Sequence, residues 1–161
     1  MAISAMLWPM AETIVVGYDG NGPAEKALDR AIEEAKESGA SLVVVVAEYM
    51  PVAPYDPSMV DVGLSGVYTP LPLPEPAGGP LPPVKAVMDK AAERLSAAGV
   101  SGDTEWGVGD PARVIVDVAV DRGASKIMIG QDHHGFFGRL FGGDVEAEVK
   151  READCEVVVV E

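Results

Sequence analysis

A single cysteine, Cys155, leaves no partner for an internal disulfide, and the missing cysteine framework fits a reducing compartment, so a cytoplasmic protein is expected. Basic residues are scarce as well. Twelve Lys and Arg stand against 26 Asp and Glu, a formal charge of −14, which opposes any sequence-independent hold on nucleic acid or anionic membrane, since both need clustered cations. Partners are expected to be small molecules or proteins. No apolar run approaches the roughly 20 residues that span a bilayer, so a membrane protein is not expected. The opening MAISAMLWPM lacks both a basic region and a long apolar stretch, so it does not read as a secretory signal. Residues 1–12 are expected to form a disordered leader, and the native start is either Met1 or Met10.

What is present is a chain of one-domain size, nearly half apolar, in which strand and helix patterns alternate. Thr13 to Tyr18 is a β-branched run. The turn Asp19-Gly20-Asn21-Gly22 and Pro23 then open a helix whose Ala24, Ala27, Leu28, Ala31, Ile32 and Ala35 share one face, with Gly39 as terminator. Leu42 to Ala47 is an unbroken apolar run, as in a parallel strand covered on both sides. Residues 51–83 are rich in Pro and Gly without a sustained period and read as an excursion of the same domain.

A helix resumes near Pro83, with Val84, Val87, Met88, Ala91 and Leu95 on one face and Gly99 as stop. Thr104 to Val108 is the third strand and gives the weakest signal of the five. Asp110-Pro111 opens the next helix as N-cap and first-turn proline, with Ala112, Ile115, Val116 and Ala119 as its apolar face up to Gly123. Lys126 to Ile129 is a fourth strand, Val145 to Ala153 a short helix, and Val157 to Val160 a fifth strand. This alternation predicts an α/β fold, a five-stranded parallel sheet with helices on both faces. Ligands of such sheets sit beyond the carboxyl ends of the strands, where the strand order reverses. The turns after strands one, two and four therefore matter, and they hold Asp19, Ala47-Glu48 and Gly130 onward.

The segment from Gly130 through Gln131, Asp132, His133 and His134 to Gly142-Gly143-Asp144-Val145 joins a buried strand to a helix start and is dense in glycine. Such a loop brings backbone N–H groups toward a phosphate, aided by the positive end of the helix dipole. Glycine-rich turns also occur for steric reasons alone, so the loop by itself leaves both readings open.

From Thr13 to Glu161 the chain resembles the universal stress protein family. VVGYDGNGPAEKALDRAI is similar to that family's first strand, aspartate turn and helix, and ASLVVVVAE to its second strand. GDPARVIVDVAVDRGASKIMIG is similar to its Gly-Asp-Pro helix and fourth strand, and ADCEVVVVE to its last strand. The resemblance implies strand order 3-2-1-4-5, a non-catalytic stress-response module, dimerisation through the last strand, and adenine-nucleotide contacts at Asp19, Gly20, Ala47, Gly130, Gln131, His133, Gly143, Asp144 and Val145.

In nucleotide-binding members the fourth strand runs into Gly, two residues, Gly, nine residues, then Gly and Ser or Thr. Gly130 and Gly143 match that spacing, whereas His133 replaces the second glycine and Asp144 the hydroxyl residue. A hydroxyl donates to phosphate; an ionised Asp only accepts and adds negative charge. Two anions about 4 Å apart repel by ~4 kcal/mol at an effective dielectric of 20, two to three powers of ten in affinity. AMP or adenosine is therefore expected to bind better than ATP. A Mg²⁺ accompanying a nucleotide would reverse the argument, with Asp144 as an oxygen ligand. Asp144 also reads as N-cap of the last helix, and Asp19 as a turn-forming aspartate as readily as an adenosine contact. The alternative is a dimeric scaffold with a closed phosphate pocket.

Three further groups have bland readings. His133-His134 has no third ligand at suitable spacing, and adjacent side chains rarely converge on one metal ion. Phe136, Phe137, Leu140 and Phe141 read as loop anchors. Cys155 reads as a small apolar side chain before a strand, with no recognisable base, and nothing resembles a catalytic pair.

Overall fold

The computed structural model describes residues 12–48, 79–131 and 145–161. The expected leader up to residue 11 lies outside those residues, as does the excursion up to residue 78.

Strand β1 is Thr13–Gly17, β2 Ser41–Glu48, β3 Gly102–Val108, β4 Lys126–Gly130 and β5 Glu156–Val160. They form one parallel sheet in the order β3-β2-β1-β4-β5, the expected topology. Between them run α1 Gly22–Ser38, α2 Pro82–Ala98, α3 Pro111–Asp121 and α4 Val145–Glu152.

The side-chain alternation of each strand divides the core in two. Ile14 and Val16 of β1, Leu42, Val44 and Val46 of β2, and Met128 of β4 pack with Ala27, Leu28 and Ala31 of α1 and with Ala91 and Leu95 of α2. Val15, Val43, Val45, Ile127 and Ile129 point the other way, against Ala112, Ile115, Val116 and Ala119 of α3 and Val149 of α4. The central strands are buried on both faces, which is why their sequences run apolar without alternation.

Element ends follow local chemistry. Gly39 and Gly99 close α1 and α2 with φ of 76° and 69°, left-handed values that cost a side chain strain. Asp110 caps α3 by accepting from the Arg113 amide at 3.1 Å. Three boundaries depart from expectation. Strand β3 begins at Gly102, two residues early, because this edge strand tolerates exposed polar residues that masked its pattern. Helix α2 takes Pro82 and Pro83 as its first turn, so the excursion ends two residues sooner than expected. Helix α1 starts at Gly22, one residue before Pro23, with Asn21 as its N-cap, and Asn21 makes no side-chain cap bond.

Candidate functional site

Helices α1 and α2 cover one sheet face and α3 and α4 the other, so the chain changes sides between β1 and β4. A parallel sheet opens a crevice at the carboxyl ends of two such strands, because their connections depart in opposite directions. Asp19 and Gly20 follow β1 and Gln131 follows β4, so these predicted site residues meet at that crevice together with Gly130, the last residue of β4. Ala47 lies one strand over, near the end of β2. Val145 is the first residue of α4. His133, Gly143 and Asp144 lie outside the described residues.

The Asp19 turn is tightly organised. Its Oδ1 accepts from the Asn21 amide at 2.9 Å and its Oδ2 from Asn21 Nδ2 at 2.7 Å, an Asx turn that fixes the approach to α1. Gly20 adopts φ 82°, so this position of the turn favours glycine. Tyr18 prolongs the β1–β2 ladder, donating its amide to the Val45 carbonyl at 2.9 Å. Its hydroxyl donates to Glu25 Oε1 at 2.6 Å, and Glu25 also holds Lys90 and Arg94 of α2. Burial raises the Tyr18 pKa against the lowering field of Arg94, with Asp19 and Asp29 adding to the rise.

Gly130 has a different reason to be glycine. A Cβ there would overlap the Pro23 carbonyl and come within 2.8 Å of the Ala24 amide nitrogen, so the end of β4 lies directly against the first turn of α1. That contact places the first turn of α1, the positive end of its dipole, beside the β4 end. The Gln131 amide donates to the Val160 carbonyl at 2.8 Å, so this N–H is already engaged.

Sequence reasoning placed Glu48 in the turn after the second strand but gave its side chain no role. This last residue of β2 is 5% exposed, the only buried charged side chain among the described residues. Its carbonyl accepts from the Gly109 amide at 3.0 Å, and its Oε2 lies 3.5 Å from the Leu81 amide at the N-cap of α2. Among the described residues Oε1 is buried without a partner. The available signal was a charged residue ending an otherwise apolar run; its burial depends on a helix that begins 34 residues later.

Other clusters explain themselves structurally. A depression at the opposite, amino-terminal strand ends is lined by Thr13, Ser41, Gly102, Asp103 and Arg122, but Arg122 is already paired with Asp103 at 3.2 Å and with Glu105. Burial pushes the Cys155 thiol upward, away from the thiolate a nucleophile requires. Among the described residues no group of three His, Cys, Asp or Glu is arranged to hold a metal, and no helix is long and apolar enough to cross a membrane.

Comparison with known proteins agrees with this geometry. Residues 10–161 match the universal stress protein family. The "Universal stress protein in QAH/OAS sulfhydrylase 3'region" of Thermus aquaticus is 30% identical, the alignment covering 94% of this chain and 99% of the relative. Among solved structures, a universal stress protein in complex with cAMP is 26% identical with a TM-score of 0.65, covering 95% of this chain and 98% of the other. The Archaeoglobus fulgidus universal stress protein in complex with dAMP shares the fold, with a TM-score of 0.59 at 21% identity, covering 94% and 98%. Sequence, topology and these matches together establish that the chain belongs to the universal stress protein family, whose members are generally non-catalytic.

Proposed function

We propose that this protein is a cytoplasmic, homodimeric, ligand-responsive module of the stress response that binds an adenine nucleotide at the carboxyl ends of β1, β2 and β4. The observation that carries the reading is the convergence of Asp19, Gly20 and Gly130 on the crevice where the chain changes sheet face, with the edge of β2 at Ala47 alongside. Support comes from relatives whose solved complexes hold cAMP and dAMP, both adenine nucleotides with a single phosphate. In this reading Asp19 and Gly20 contact the adenosine, the Ala47 backbone holds the base, and Gly130, Gln131, His133, Gly143, Asp144 and Val145 surround the phosphate.

The negative Asp144 in place of a hydroxyl residue favours ligands with little phosphate charge, so AMP and adenosine are preferred to ATP. Mg²⁺ enters only with a nucleotide. Signalling follows if one conformation binds the ligand better than another.

Titration calorimetry with adenosine, AMP and ATP, each with and without Mg²⁺, tests the reading. AMP or adenosine should bind, and metal-free ATP should bind at least tenfold more weakly. Tight metal-free ATP binding would refute the Asp144 argument. Silence for all three would favour the interaction scaffold, in which His133 and Asp144 close the phosphate pocket.

A further inference from the structure

We propose that Glu48 determines which base the site accepts, its Oε1 taking a hydrogen bond from the exocyclic amine of adenine. The proposal rests on the adenine-nucleotide reading above and adds to it the residue that reads the base edge.

Position comes first. The β1–β2 register pairs Gly17 with Val45, and the Tyr18 amide extends that ladder by one residue before the chain turns at Asp19 and Gly20, so this turn leaves the sheet beside the last residues of β2. Leu42, Val44 and Val46 point toward α1 and α2, and Glu48 continues that alternation. A Cβ at Gly20 would lie 3.8 Å from Val87 of α2. The Glu48 carboxylate thus stands where the Asp19–Gly20 turn, the end of β2 and the start of α2 meet, one residue from the backbone proposed to hold the base.

Chemistry comes second. A carboxylate buried this deeply normally has both oxygens satisfied, because an unfilled acceptor forfeits its water hydrogen bonds without replacement. The helix start occupies Oε2, through the Leu81 amide and the dipole of α2, and leaves Oε1 unfilled. Oε1 is buried with no partner among the described residues, so a ligand N–H brought to it would fill an open acceptor. One acceptor calls for one N–H. The adenine amine supplies it, whereas the 6-keto oxygen of hypoxanthine would set two acceptors against each other. A site built around a buried polar group discriminates most strongly against analogues that leave that group unpaired.

Calorimetric titration of the wild-type protein, Glu48→Gln and Glu48→Asp with AMP and IMP tests the proposal, with circular dichroism confirming that each variant is folded. The wild type should prefer AMP by about 10- to 100-fold. Glu48→Gln should lose or invert that preference, because its amide can accept from Leu81 and donate to the keto oxygen. Glu48→Asp, one methylene shorter, should lower it, and decides the matter if the Gln variant does not fold. Equal wild-type affinities for AMP and IMP would overturn the inference while the nucleotide site stands. An unchanged AMP/IMP ratio in the folded variants would also overturn it, leaving Glu48 as a cap for α2. Failure of the wild type to bind AMP or IMP, with adenosine and ATP silent as well, would remove the nucleotide reading and this inference together.

Discussion

Single residues at the strand ends carry the sharpest structural demands. Gly130→Ala would drive a methyl into the backbone of Pro23 and Ala24, which cannot rotate aside as a side chain can. Such overpacking costs about 1–3 kcal/mol or more. The urea midpoint should fall by about 1 M, given a slope of about 1–3 kcal/mol per molar. A midpoint within error of the wild type would show that β4 and α1 separate without cost. Tyr18 adds a pH dependence. It is 3% exposed, and its folded pKa lies above the ordinary value of 10.0 chiefly because burial penalises the phenolate. Between the unfolded and folded values the native state binds more protons, so this contribution is complete below pH 10 and is lost as pH rises through the folded value. Tyr18→Phe should cost about 1 kcal/mol at pH 8 through the lost bond to Glu25, and its stability should decline less than the wild type's above pH 10. Parallel thermal-melt profiles from pH 8 to 11 would contradict this.

At the scale of elements, helices α2 and α3 are capped in different ways. Helix α3 carries its own cap in Asp110, so Asp110→Ala should cost about 1 kcal/mol while Asp110→Asn costs little, measured by chemical denaturation. A loss below about 0.3 kcal/mol for the alanine would show that solvent serves the Arg113 amide equally well. Helix α2 has Leu81 as N-cap, which offers no capping side chain, and the Leu81 amide donates to Glu48 of β2 at 3.5 Å. This difference marks the limit of what the sequence could reveal. Helix faces and central strands were legible because burial on one or both sides imposes a period on neighbouring residues: Ala24 to Ala35 for α1, Leu42 to Val46 for β2. The edge strand β3 was legible only from Thr104 onward, since the exposed Gly102 and Asp103 carry no burial signal. The burial of Glu48 was illegible, because a buried and an exposed glutamate at a strand end look alike until the helix above them is placed. The strand-end turns at Asp19 and Gly130 were found through topology. The predicted contacts at His133, Gly143 and Asp144 lie outside the described residues.

The whole molecule poses the question of assembly, and two of its properties act in opposite directions. Strand β5 is the last strand of the sheet, four half-buried valines paired on one side to β4. Because Val160 accepts from Gln131, the parallel ladder turns the backbone groups of Val158 and Val160 toward β4 and those of Val157 and Val159 toward the open edge. Apolar edges with free backbone groups invite pairing with a second copy. A charge of −14 on each copy opposes that approach, and the repulsion weakens as salt shortens the Debye length from about 30 Å at 0.01 M to about 10 Å at 0.1 M. Sedimentation at micromolar concentration should therefore show a dimer whose dissociation constant falls as salt rises across that range. Val159→Pro removes an outward-facing N–H and leaves the bonds to β4 in place, a substitution an edge strand accommodates. It should give a folded monomer with unchanged far-UV circular dichroism. A variant that still dimerises would move the interface away from β5, and a wild type that remains monomeric at every salt concentration would leave the edge strand without a partner of its own kind.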